Sequence, residues 1–95
     1  MKYYTRTEIL QLLPVDEAFL VLLEQEEILW LDAPGDASQT YSERMLERVR
    51  VASNLVQDLD VNLPGAAVIL SLREQIDELQ QRLHELADQV ARRRP

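Results

Sequence analysis

His84 and Asp88 stand one helical turn apart, a spacing at which two side chains on one helix face can share a metal ion. Two ligands fall short of the four of a structural zinc site and the three of a catalytic one, and no others lie near in sequence. His84, the only histidine, therefore reads as an exposed side chain and no metal is expected. The chain has no cysteine, which excludes a thiol nucleophile, thiolate metal sites and a disulfide frame. Its four serines, Ser38, Ser42, Ser53 and Ser71, stand in no nucleophile motif. Carboxylates are plentiful, but spacing alone does not separate a catalytic pair from a charged surface, and no glycine-rich phosphate loop is present. Neither an enzyme nor a cofactor is expected. What remains is binding.

Charge says what could be bound. Seventeen acidic residues against ten basic ones give −7. Proteins that hold DNA through its phosphates need the opposite balance, because release of counterions drives that binding. The acids concentrate in one stretch: Asp16, Glu17, Glu24, Glu26 and Glu27 fall within twelve residues that contain no Lys or Arg. Trp30 and Leu31 follow directly. Such a patch suits a basic helix of a partner protein, with charge steering the encounter and the indole supplying contact area. Set against that is the plainer reading, a solvated helix face with Trp30 in the core.

These side chains need elements to hold them. With 46% apolar residues and few aromatics, the core must be aliphatic, and ninety-five residues predict a single domain. The N-terminal stretch is not an apolar signal and no run approaches the ~20 apolar residues that span a bilayer, so a cytoplasmic location away from membranes is expected. Thr5-Arg6-Thr7-Glu8 has the form of a capping box. Ile9, Leu10, Leu12 and Leu13 follow, and Pro14 closes this first helix at about Leu13. Asp16 caps a second helix whose inward face is Phe19, Leu20, Leu22 and Leu23. Two short helices across a tight turn have helix-turn-helix spacing. Ile28 to Leu31 and Ser38 to Tyr41, flanking the turn at Asp32 to Asp36, predict a small hairpin or wing, so that 1–41 form the helix-turn-helix and wing.

Ser42 caps a third helix within 42–60, where Met45, Val49, Ala52, Val56 and Leu59 form one apolar stripe. Asn62 caps a fourth, with Pro64 in its first turn. This helix, over 62–93, carries Ile69, Leu72, Ile76, Leu79, Leu83, Leu86 and Val90 at alternating steps of three and four, a heptad seam for dimerisation. It would run roughly 45 Å, whereas a compact globule of this mass has a gyration radius of about 12 Å. The distal seam must overhang and find a partner, which makes a homodimer the expectation. The seam's flanks hold no acid, so a parallel pair could make no salt bridges there. An antiparallel pair, or packing that also uses the third helix with Glu43 and Glu47, fits better on that count. The alternation of Ile or Val with Leu favours a parallel pair, and the orientation stays open. Arg92-Arg93-Arg94 complements the negative end of the helix dipole, or binds an acidic partner or nucleic acid.

The order helix-turn-helix, wing, helix, long heptad helix resembles the MerR-type regulators. Tyr4-Thr5-Arg6-Thr7-Glu8-Ile9-Leu10 and Phe19-Leu20-Val21-Leu22-Leu23 are similar to that family's first two helices. The basic residues of a working DNA reader are missing from the second helix and wing. The stretch Asp58-Leu59-Asp60-Val61-Asn62-Leu63-Pro64-Gly65-Ala66-Ala67-Val68-Ile69-Leu70-Ser71-Leu72 looks like the CbpM-like chaperone modulators, which share the architecture. This resemblance implies an all-α, MerR-like winged helix-turn-helix fold with a small β-wing and a long C-terminal coiled-coil helix. It also implies a role: binding the J-domain of a CbpA-like DnaJ homologue and restraining its work with DnaK. A MerR-like DNA-binding transcriptional regulator is the alternative.

Overall fold

The computed structural model describes residues 2–33 and 40–93. Strand β1 (Tyr3–Thr5) leads into α1 (Arg6–Leu12), and α2 (Glu17–Gln25) follows. Strand β2 (Thr40–Ser42) leads into α3 (Glu43–Ser53), which runs on into a wide π turn at Asn54–Asp58. Helix α4 (Leu63–Arg92) completes the chain. No helix among the described residues is long and apolar enough to cross a membrane.

The caps form as their side chains dictate. Thr5 Oγ1 accepts from the Glu8 amide at 3.2 Å while the Glu8 carboxylate accepts from the Thr5 amide at 3.0 Å. The bond from the Thr5 amide, and after it the interaction with the Thr5 side chain, hold the Glu8 carboxyl below its usual range. Asp16 accepts from the Phe19 amide and Asn62 from the Gly65 amide, at 2.8 and 2.7 Å. The same mechanism starts α3 at Ser42, which is itself gripped by Asp32: its amide donates to the carboxylate at 2.7 Å and its hydroxyl donates to the second oxygen.

The small sheet differs from the expected hairpin. Thr40–Ser42 pairs antiparallel with Tyr3–Thr5, in the register Tyr4 to Tyr41, rather than with Ile28 to Leu31. Ser38 and Gln39 of the anticipated strand lie outside the described residues. Ile28 to Leu31 has other commitments. The Ile28 and Leu29 amides both donate to the Leu23 carbonyl, and the Ile28 carbonyl accepts from Arg48 Nε at 2.6 Å. Those bonds occupy the Ile28 amide and carbonyl and the Leu29 amide, groups that a ladder would otherwise use.

The core gathers Ile9, Phe19, Leu20, Leu23, Ile28, Leu29, Met45, Val49, Ala52, Ala66 and Leu70, with Tyr4 and Tyr41 of the paired strands at its edge. Leu59 is a second correction: expected on the third-helix stripe, it is 66% exposed. The π turn after Ser53 takes more residues per turn than the α-helix, so the stripe no longer points inward by that residue. The gyration radius of 16.6 Å and the 58 Å long axis record the overhang of α4.

Candidate functional site

Helix α4 has two faces with different tasks. Ala66 and Leu70 are buried, with Leu63 and Ala67 packed beside them, and Glu74 continues that line one turn on. The heptad seam lies on roughly the opposite side of the helix, at 3.6 residues per turn. Ile69 is half-buried, while Leu72, Ile76, Leu79, Leu83, Leu86 and Val90 are all exposed, between 51% and 68%. The proximal seam is therefore as open as the distal part, although it runs alongside the body of the protein.

Of the acidic residues singled out in the sequence, Glu24, Glu26 and Glu27 line one open groove of about 610 Å³ together with Trp30. Leu29, Arg44, Arg48, Ala67, Ser71 and Glu74 complete its walls. Asp16 and Glu17 are not part of it, since they sit at the start of α2. Asp16 is engaged as a cap, and Glu17 and Glu24 are both bound by Arg6, whose Nε and Nη2 reach them at 2.6 and 2.7 Å. Arg6 Nη1 also donates to the Tyr41 hydroxyl at 3.1 Å. Partial burial lowers the Arg6 pKa, but its bonds to Glu24, Glu17 and Tyr41 outweigh that and raise it overall. Glu26 and Glu27 enter no ion pair among the described residues, so the groove's unneutralised charge is theirs.

Glu27 has a further peculiarity. It follows the α2 C-cap with φ = 57°, in the left-handed region. Its amide donates to the Glu24 carbonyl and that of Ile28 to the Leu23 carbonyl, at 3.1 and 2.8 Å. That is the Schellman closure, which usually places glycine where this chain has glutamate. The result turns Glu27 outward at the groove's rim.

Trp30 is neither a free anchor nor a core residue. Its ring carries the guanidinium groups of Arg48 and Arg44 at 4.8 and 5.2 Å from the centroid, yet the side chain stays partly exposed. Both arginines converge on Glu74: Arg48 Nη1 at 2.7 Å, Arg44 Nη2 at 3.0 Å. These bonds hold the Glu74 carboxyl below its ordinary range, Arg44 contributing most and partial burial opposing. Sequence reasoning missed this cluster, although one signal was present. Arg48 follows Met45 by three residues and precedes Ala52 by four, so an arginine stands on the apolar stripe.

His84 is exposed near the middle of the overhanging helix. Among the described residues no group of three or more His, Cys, Asp or Glu side chains is placed to hold a metal ion. The groove offers an aromatic edge and unpaired carboxylates, a combination that recognises a cationic, partly apolar surface.

Comparison with known proteins agrees on the architecture. A family model described as MerR HTH family regulatory protein matches residues 4–88. The chaperone modulatory protein CbpM of Coxiella burnetii, in the Dugway 5J108-111, RSA 331 / Henzerling II and CbuG_Q212 strains, is 31% identical over 68 residues. The match takes in 70% of this chain and 64% of those relatives, so the chain spans just under two thirds of their length. No solved structure matches the chain.

Proposed function

The chain belongs to the MerR HTH family of regulatory proteins, and on that premise we propose that it regulates by holding another protein rather than DNA. The partner is the J-domain of a CbpA-like DnaJ homologue. Binding occludes the basic surface through which the J-domain works with DnaK, so the protein is an inhibitory modulator and not a catalyst. One observation carries this reading: Glu24, Glu26 and Glu27 rim a single groove with Trp30, and α2 has no basic residue. A duplex would be repelled by that helix. A basic helix would be steered to it, with its aliphatic stems lying against the exposed indole edge. The likeness to proteins named as chaperone modulators supports the kind of partner.

The exposed seam of α4 makes the working form a homodimer, since an apolar stripe of this length is stable in water only against another apolar surface. A cytoplasmic setting follows from the partner. The family match is also what favours a second reading, sequence-specific DNA binding by α1 and α2.

Calorimetric titration of the protein into the isolated J-domain, at low and high salt, tests the proposal. Saturable binding that weakens as salt rises is the expected result. Absence of binding at both salts, with a salt-sensitive shift of a specific duplex, would replace it with the DNA reading.

A further inference from the structure

We propose that the outward face of α2 seats the apolar stripe of the partner's basic helix, whose charged flank runs on into the groove. The inference rests on the groove reading above and extends the contact beyond Trp30. Ala18, Val21, Leu22 and Gln25 follow one another at steps of three, one and three, which on a helix makes a single ridge. The ridge lies opposite Phe19, Leu20 and Leu23, the residues that α2 buries. All four of its side chains are exposed, Val21 at 41% and Leu22 at 43%. Leu22, expected on the inward face, stands instead roughly 160° around the helix from Leu20. The inward face is too narrow to include it.

Charge decides what the ridge takes. On one flank Glu17 and Glu24 share the single guanidinium of Arg6, which leaves an excess of negative charge. On the other, Glu26 stands one turn beyond Leu22 and lines the groove. An apolar ridge between two acidic flanks fits a helix whose own apolar stripe is bordered by Lys or Arg. A DNA reader needs donors and acceptors at these positions, and here Gln25 alone supplies them. A second copy of the chain, at −7, brings charge of the same sign. Ridge and groove meet at Glu26, so one basic helix laid along α2 covers Val21 and Leu22 and carries its cations to Glu26 and Glu27.

Calorimetry of the native protein and two variants against the isolated J-domain, at low and high salt, tests this docking. Val21→Gln with Leu22→Gln keeps helix-favouring side chains and removes the apolar contact. Binding on the order of tenfold weaker is expected, equally at both salts, because apolar contact is not screened. Ala18→Arg leaves the core alone, since Ala18 is exposed, but sets bulk and positive charge against a basic helix. It is expected to bind more weakly, and most so at low salt. Both variants are expected to sediment as the native chain does. Unchanged affinity in either variant, while the native protein binds, would overturn the docking on α2 and leave the groove reading standing. A J-domain that binds no form would sink the groove reading, and the docking falls with it. A changed oligomeric state in either variant would make the ridge a contact between copies. A duplex shift that Ala18→Arg strengthens would assign the ridge to DNA, and each of these two results overturns the proposal.

Discussion

Arg48 and Glu74 fasten the third helix to the fourth, Nη1 to Oε1 across 2.7 Å, from an arginine side chain only 7% exposed. The same guanidinium donates through Nε to the Ile28 carbonyl and lies over the Trp30 ring. One side chain therefore joins α3, α4 and the segment leaving α2. A buried cation of this kind is tolerable only while its donors are satisfied.

Replacing Glu74 should show how much this junction contributes. Glu74→Gln leaves Arg48 a weaker, neutral acceptor and is expected to cost about 1 kcal/mol, below the ~1.5–3 kcal/mol of a buried charged bond because solvent reaches the carboxylate. Thermal melts at neutral pH would register a fall of roughly 4–8 °C in Tm. The pH dependence has a fixed sign. A carboxyl whose pKa is lowered in the folded state stabilises above its unfolded value, about 4.3, and loses that contribution as pH falls through the folded value. The gap between native and variant should accordingly close below pH ~4.3. A gap that persists undiminished in acid would mean the glutamate acts through packing rather than charge.

Much of this was legible in advance because caps and heptads are local patterns. Thr5, Asp16, Ser42 and Asn62 each start a helix as read, and the overhang of α4 follows from its length. The small sheet was not legible, since Tyr3–Thr5 meets Thr40–Ser42 only once the core has brought distant segments together. Leu59 was misplaced because a π turn leaves no periodic mark. The Arg48–Glu74 junction leaves little trace in the sequence for a related reason: the heptad seam dominates the apolar pattern of α4, and the Ala66, Leu70, Glu74 line that packs inward is short and ends in a charge. Among the acids, composition gave five equivalent carboxylates. Geometry divides them into a cap, two bound by Arg6, and two unpaired on the rim.

Glu27 is expected to trade stability for charge. A non-glycine residue in the left-handed region costs roughly 1–2 kcal/mol, and Glu27→Gly removes that cost while deleting a rim carboxylate. Its midpoint in urea should rise by the equivalent of about 1 kcal/mol. Affinity for the J-domain should fall at low salt. Glu27→Asn, which tolerates the same backbone, should behave alike. A variant that is more stable yet binds undiminished would remove Glu27 from the binding surface.

Charge reversal separates steering from structure if the right acids are chosen. Glu24→Lys is a poor probe, because it also breaks the Arg6 contact that ties α2 to α1 and to Tyr41. Glu26→Lys with Glu27→Lys leaves that network alone. Association with the J-domain should slow on the order of tenfold at low salt, with a smaller effect on dissociation. The two proteins should converge at high salt, where charges beyond about 10 Å are screened. Equal association rates across the salt series would rule out steering by this rim.

The seam makes the sharpest demand on the fold. Because Leu79 and Leu83 are among the most exposed apolar residues in the chain, Leu79→Asp with Leu83→Asp should leave the core of a single copy untouched. Near-ultraviolet circular dichroism from Trp30 and the tyrosines should keep its native form, while sedimentation reports a monomer at concentrations where the native chain is paired. Stability of the native dimer should depend on protein concentration, as linked association requires, and that of the variant should not. The overhanging part of α4 has no other packing partner among the described residues and isolated helices of under ~15 residues are marginal in water, so far-ultraviolet helicity should drop in the monomer. A variant that stays dimeric would place the interface on the groove or on α1 and α2. One that is monomeric but keeps full helicity would show that the distal helix holds itself through pairs such as Arg82 with Glu78, 2.6 Å apart.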